Sequence, residues 1–189
     1  MQYWRSALAF CACIVLTPSG GQAVTAPGTL QRMEWAAGYL HAAIQPSGRF
    51  DYVRGYGVAG ASAGSRQYNL LRHAGTLFAL ADYHATFPPD AEQSDALRRA
   101  ARYLADCCIG PVEGAPDALV LWSHPELVGR PDAPLQAKLG GAGLALAALL
   151  NVESVLPGVS DPATWRGLAE FLLYMQRSDG SFVSKYVPS

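Results

Sequence analysis

Two stretches of this sequence combine aromatic rings with carboxylates, the mixture that sugar sites use. Asp51, Tyr52 and Tyr56 fall in the first, and Trp122, His124 and Glu126 in the second (LWSHPEL). Rings stack on the apolar faces of sugars, and carboxylates accept from their hydroxyls. A pair such as Asp51 and Glu126 can supply the acid and the base of glycoside hydrolysis if the fold sets them at the right separation. Ordinary loop packing, with Trp122 plugging a core, would use the same residues. A third group, Tyr68, Asn69, Arg72 and His73, opens an apolar segment. Arginine pairs with carboxylates, and histidine exchanges a proton near neutral pH. The same polarity would equally satisfy loop carbonyls where a helix starts. Lys138 stands before the next apolar segment, so two cations occupy matching places, a pattern that suits an anionic sugar such as a uronate. Asp179 lies in Ser178-Asp179-Gly180-Ser181, a turn signal first and a candidate carboxylate second, with Lys185 and Tyr186 just beyond it. Asp51, His73 and Glu126 are thus the catalytic candidates, and the other residues named here, Tyr56 apart, are candidates for binding substrate.

Composition narrows the classes. Among 189 residues, 14 Lys and Arg face 15 Asp and Glu for a net charge of −1, which excludes the basic footprint of a nucleic-acid binder. Half the residues are apolar, enough for a packed core, and the length suits one domain. No CxxC, HExxH or paired Cys/His set is present, so no metal is expected, and no cofactor is expected either. Gly60-Ala61-Ser62-Ala63-Gly64 has the letters of a nucleophile elbow without the flanking strand and helix, and is read as a flexible loop. Residues 1–23 have the form of a secretory signal peptide: Arg5, the apolar run SALAFCACIVL, then breakers and Gly21-Gln22-Ala23. Export to the periplasm or beyond follows, with no membrane contact after cleavage. Cleavage would leave only Cys107 and Cys108, read as small buried hydrophobes on a helix.

Five helices are expected. Three are amphipathic, over about residues 29–44, 90–109 and 162–176, the last with Asp161 as N-cap and Pro162 at the first helical position. Two, over residues 70–83 and 139–150, are apolar nearly all round, which predicts burial on every side. The order alternates outer and inner helices, as in a double ring. Arg72–Ala81 aligns with Lys138–Ala147 at an offset of 66, placing Gly75 on Gly141, and Gln45–Phe50 echoes Gln176–Phe182 near twice that offset. Residues 45–67 and 110–135 are read as long loops at one end of the array, where the inner helices begin and their positive dipole ends point.

On these features, over most of residues 29–189, the chain resembles the α/α-toroid proteins: the six-hairpin glycosidase-like group, sugar epimerases, and the terpene-cyclase and prenyltransferase group. The Gln-x-x-(Asp)-Gly-x-Phe loop looks like the QW motif of terpene cyclases, with Phe50 and Phe182 where Trp would stand. Tyr68–Thr76 looks more like the carbohydrate-associated six-hairpin proteins. DxDD and DDxxD are absent, which counts against isoprenoid chemistry. The resemblance implies an all-α toroid of helical hairpins, incomplete at five helices and truncated after residue 189. It also implies a carbohydrate ligand, with hydrolase, epimerase or lyase chemistry in a full-length form. The alternatives are closure of the ring by a homo-oligomer, a compact small bundle, or a non-catalytic helical-repeat module that holds a protein or glycan.

Overall fold

The computed structural model describes residues 28–51 and 68–188. The expected signal peptide, Tyr52, Tyr56 and the Gly60–Gly64 run lie outside these residues. All five helices form: α1 (Thr29–Ala42), α2 (Leu70–Thr86), α3 (Ala91–Cys108), α4 (Leu139–Val155) and α5 (Pro162–Tyr174). Three of the five starts carry side-chain caps. Asn69 Oδ1 accepts from the Arg72 N–H, Asp90 and Gln93 form a reciprocal capping box, and Asp161 accepts from the Ala163 N–H ahead of α5.

The all-α expectation fails. Four antiparallel strands, β1 (Ile109–Val112), β2 (Ala115–Ser123), β3 (Gln136–Lys138) and β4 (Lys185–Tyr186), make one sheet in the order β1-β2-β3-β4, so the fold is mixed α and β. The first half of the second long loop, residues 110–123, is therefore a hairpin, and a third strand follows the loop directly. The reason lies in Leu119-Val120-Leu121-Trp122, an apolar run of residues that suit strands, flanked by turn residues. Residues 118 and 120–122 are buried, and α5 crosses the strand so closely that a Cβ at Gly167 would collide with the Leu119 side chain.

The repeat is real in three dimensions. α1, α3 and α5 end at Ala42, Cys108 and Tyr174, and the turns after them carry Gly48, Gly114 and Gly180 at φ of +85°, +79° and +83°. Each set is spaced by 66 residues, and glycine is the residue that takes this backbone without strain. The first and third turns share their hydrogen bonds. Gln45 N–H donates to the Arg49 carbonyl at 2.8 Å, as Arg177 N–H does to Ser181 at 2.8 Å; Asp51 N–H donates to Ala43 as Val183 N–H does to Met175. Isolated bridges Ile44–Phe50 and Gln176–Phe182 complete the match. Gln176 thus corresponds to Ile44, one place off the letter match with Gln45.

α2 and α4 lie parallel. Leu71 abuts Gly141, Gly75 faces Leu144, and Asn151 Nδ2 reaches the Phe78 carbonyl at 3.5 Å, so contacts advance along both helices together. Both helices therefore begin at the same end. They are not buried on every side. Leu70, His73, Ala74, Leu77, Leu80, Ala81 and His84 are buried on α2, and Gly141, Ala142, Ala145, Ala148, Leu149 and Val152 on α4. Beyond Leu70, the first residue of α2, the two sets have the same spacing at an offset of 68, so burial pairs Gly75 with Gly143 rather than Gly141. Leu71, Phe78 and Leu150 are exposed on the other faces. Phe171, Leu77, Leu97, Leu104, Leu121 and Leu149 fill the centre between helices and sheet.

Candidate functional site

The end at which α2 and α4 begin gathers most of the candidates. Phe50 N–H donates to Tyr68 Oη at 2.8 Å, and Tyr68 N–H donates to the Leu127 carbonyl. The first bond ties the turn holding Asp51 to the head of α2. The second ties the 124–130 turn, with His124 and Glu126, to the same place. That turn is closed by Val128 N–H to His124 at 3.2 Å and Arg130 N–H to Pro125 at 2.9 Å. Glu126 is exposed and Asp51 half-buried. Asp51, Asn69, Arg72 and Glu126 thus come from segments tied to one another by hydrogen bonds.

His73 is enclosed instead of presented. It is fully buried, with Nε2 2.9 Å from the Ala100 carbonyl and Nδ1 2.7 Å from Tyr68 Oη. A carbonyl only accepts, so Nε2 carries the proton and neutral Nδ1 accepts from Tyr68 O–H. Tyr68 oxygen in turn accepts from Phe50 N–H. Burial pulls the imidazole pKa down from 6.5 to about 4, so the ring is neutral at pH 7 with both nitrogens engaged. Tyr68 is also buried, its ring covered by the Arg49 guanidinium at 4.3 Å. This relay locks the first turn to α2 and α3 and offers no proton at the surface.

Trp122 also serves packing. It is 9% exposed, lies against Gly110, and its ring centroid is 6.0 Å from that of Tyr186. Tyr186 O–H donates to the Glu113 carbonyl at 3.2 Å, and its ring meets Phe171 and Tyr174. Asp179 closes its own turn. Its carboxylate accepts from Ser181 Oγ at 2.6 Å and Ser181 N–H at 2.9 Å, which holds its pKa below the usual carboxylate value.

The sequence holds only two lysines, and the sheet sets them side by side: Lys138 and Lys185 are direct partners in the β3–β4 register. Lys138 is the N-cap of α4, without a side-chain cap bond and with no acidic residue in the first turn. Arg72 is exposed in the first turn of α2, the neighbouring parallel helix. Three cations and two helix N-termini thus share this end.

One surface groove escaped the sequence reading. Ala115, Pro116, Asp117, Ala118, Glu170 and Tyr174 line a volume of about 260 Å³ between β2 and α5. Tyr174 is 6.3 Å, centroid to centroid, from Tyr186, so the groove adjoins the Tyr186 face of β4, opposite to the face that carries Lys138 and Lys185. Glu170 and Tyr174 are one helical turn apart on the exposed side of α5, a spacing visible in the letters; their pairing with Asp117 depended on a strand that the sequence reading took for loop. Among the described residues no three of His, Cys, Asp and Glu converge as a metal site, and no helix is long and apolar enough to cross a membrane. Comparisons with family models, with curated proteins and with solved structures returned no match to this chain.

Proposed function

We propose that this is an exported carbohydrate-active protein whose helical array binds an anionic oligosaccharide, of the uronate class, at the end where α2 and α4 begin. The observation that carries this reading is the Lys138–Lys185 pair. Like charges placed directly opposite on a sheet destabilise it, and here they stand beside the start of α4, where Lys138 makes no side-chain cap bond and the Leu139 N–H donates to the Ser184 carbonyl at 3.0 Å. A carboxylate ligand relieves the repulsion and takes hydrogen bonds from the same groups. Exposed Glu126 and half-buried Asp51 supply acceptors for sugar hydroxyls. In a catalytic form Asp51 and Glu126 are the acid–base candidates. The enclosure of His73 favours a second reading, a binding module without turnover, because the imidazole cannot reach a substrate.

Titration calorimetry with a uronate oligosaccharide tests the site. Lys138→Gln and Lys185→Gln should each weaken binding roughly 5- to 30-fold, in line with the loss of a charge-assisted hydrogen bond. Binding that is unchanged in the double variant would remove the reading. Release of reducing ends or unsaturated sugars by the wild type, lost in Asp51→Asn or Glu126→Gln, would separate an enzyme from a binding module.

A further inference from the structure

The groove between β2 and α5 stands apart from the cationic end, and the repeat shows how it arises. Three of its lining residues, Pro116, Glu170 and Tyr174, have counterparts 66 residues earlier in Phe50, Leu104 and Cys108. Those three belong to the core, at 4%, 0% and 2% exposed. Pro116 and Glu170 are exposed, and so is half of Tyr174. Ala115 likewise stands at the place of Arg49, whose guanidinium covers the Tyr68 ring in the first unit. The second unit thus carries smaller residues after its turn glycine, and about 260 Å³ stays open. A small apolar side chain at 170 would be enough to leave that space. The helix instead places a carboxylate there, and Asp117 brings a second from β2. Among the described residues neither carboxylate pairs with a Lys or Arg.

We propose that this groove binds an organic cation: the primary ammonium group of an alkyl amine, carried by a free polyamine or by a lysine side chain. Two carboxylates from different elements supply the counter-charge. The carbons of Ala115, Pro116 and Ala118 take the alkyl chain. The Tyr174 ring, backed by Tyr186, attracts an ammonium through its π face. A bare metal ion suits the groove less well. Calcium takes about six to eight oxygens, and no three of His, Cys, Asp and Glu converge among the described residues. The groove adjoins the Tyr186 face of the sheet, away from Lys138 and Lys185, so an amine here does not compete with an anion there.

Titration calorimetry at low salt with two probes, spermidine and Nα-acetyl-lysine methylamide, tests this. At least one should bind, and the tighter of the two identifies the source of the ammonium group. Asp117→Asn, Glu170→Gln and Tyr174→Leu, all at exposed positions, should stay folded by circular dichroism. Each should weaken binding about 2- to 5-fold, and the double carboxylate variant about 10-fold. No binding of either probe at millimolar concentration overturns the proposal. So does affinity that survives the double carboxylate variant, or calcium that binds the wild type more tightly than both amines.

Discussion

At the scale of single residues, two histidines report on how the protein uses burial. His73 bridges Tyr68 and the Ala100 carbonyl, so its loss removes two buried hydrogen bonds at once. His73→Ala should destabilise the fold by about 2–4 kcal/mol, measured by urea unfolding. Equal stability would show that the relay contributes nothing. His41 and His84 meet Nε2 to Nε2 at 2.6 Å between α1 and α2. His84 Nδ1–H donates to the Phe87 carbonyl at 2.7 Å, so its Nε2 accepts and His41 Nε2 donates, which leaves the buried His41 Nδ1 without a partner. Burial first, then the neighbouring His84, lowers the His41 pKa from 6.5 to about 4. His73 is lowered to the same range. For both, the unfolded chain takes up protons before the folded one does. Stability is therefore full above about pH 6.5 and falls as the pH drops toward 4, by up to about 1.4 kcal/mol per pH unit for each ring. Unfolding midpoints that stay flat between pH 6.5 and 4.5 would contradict this.

At the scale of elements, Gly48 and Gly180 form an internal control. Their φ values are +85° and +83°, but only Gly48 abuts another backbone. Gly180→Ala should cost about 1–2 kcal/mol from backbone strain alone. Gly48→Ala should cost clearly more, because its Cβ must also displace Arg99 of α3. Gly167→Ala should cost about 1–3 kcal/mol through overpacking against Leu119. Equal costs at 48 and 180, read from thermal or urea unfolding, would show that the first turn is not docked as described. These elements also show what the letters could and could not reveal. The helices were legible because apolar spacing and the Asp161 cap agree, while the Asn69 cap and the reciprocal Asp90–Gln93 box became visible in the structure. The sheet was not, because the apolar run of β2 is only Leu119–Trp122 and the other strands, β1, β3 and β4, are two to four residues long. The repeat was legible in its glycines but slipped by a residue at Gln176 and by two at the inner helices, because Ala- and Leu-rich segments align almost as well in several registers. The apolar character of α2 and α4 was visible; which face each leaves open depends on neighbours.

At the scale of the whole molecule, the array brings one class of chemistry to one end. Parallel α2 and α4 start there, α1, α3 and α5 finish there, and the sheet carries Lys138 and Lys185 across it. His73 and Trp122 looked like site residues because their types suit chemistry, yet contacts that no spacing rule encodes make them part of the frame. Asp51, Arg72, Glu126 and the two lysines remain accessible at least in part.

The most direct measurement of the central claim is the affinity of the wild-type protein for a uronate oligosaccharide and for its neutral counterpart of equal length, at low and high salt. The lysine pair predicts tighter binding of the charged sugar, with an advantage that shrinks as salt screens the cations. Equal affinity for the two sugars at every salt concentration, or no binding of either, would contradict an anionic-glycan site at this end of the array.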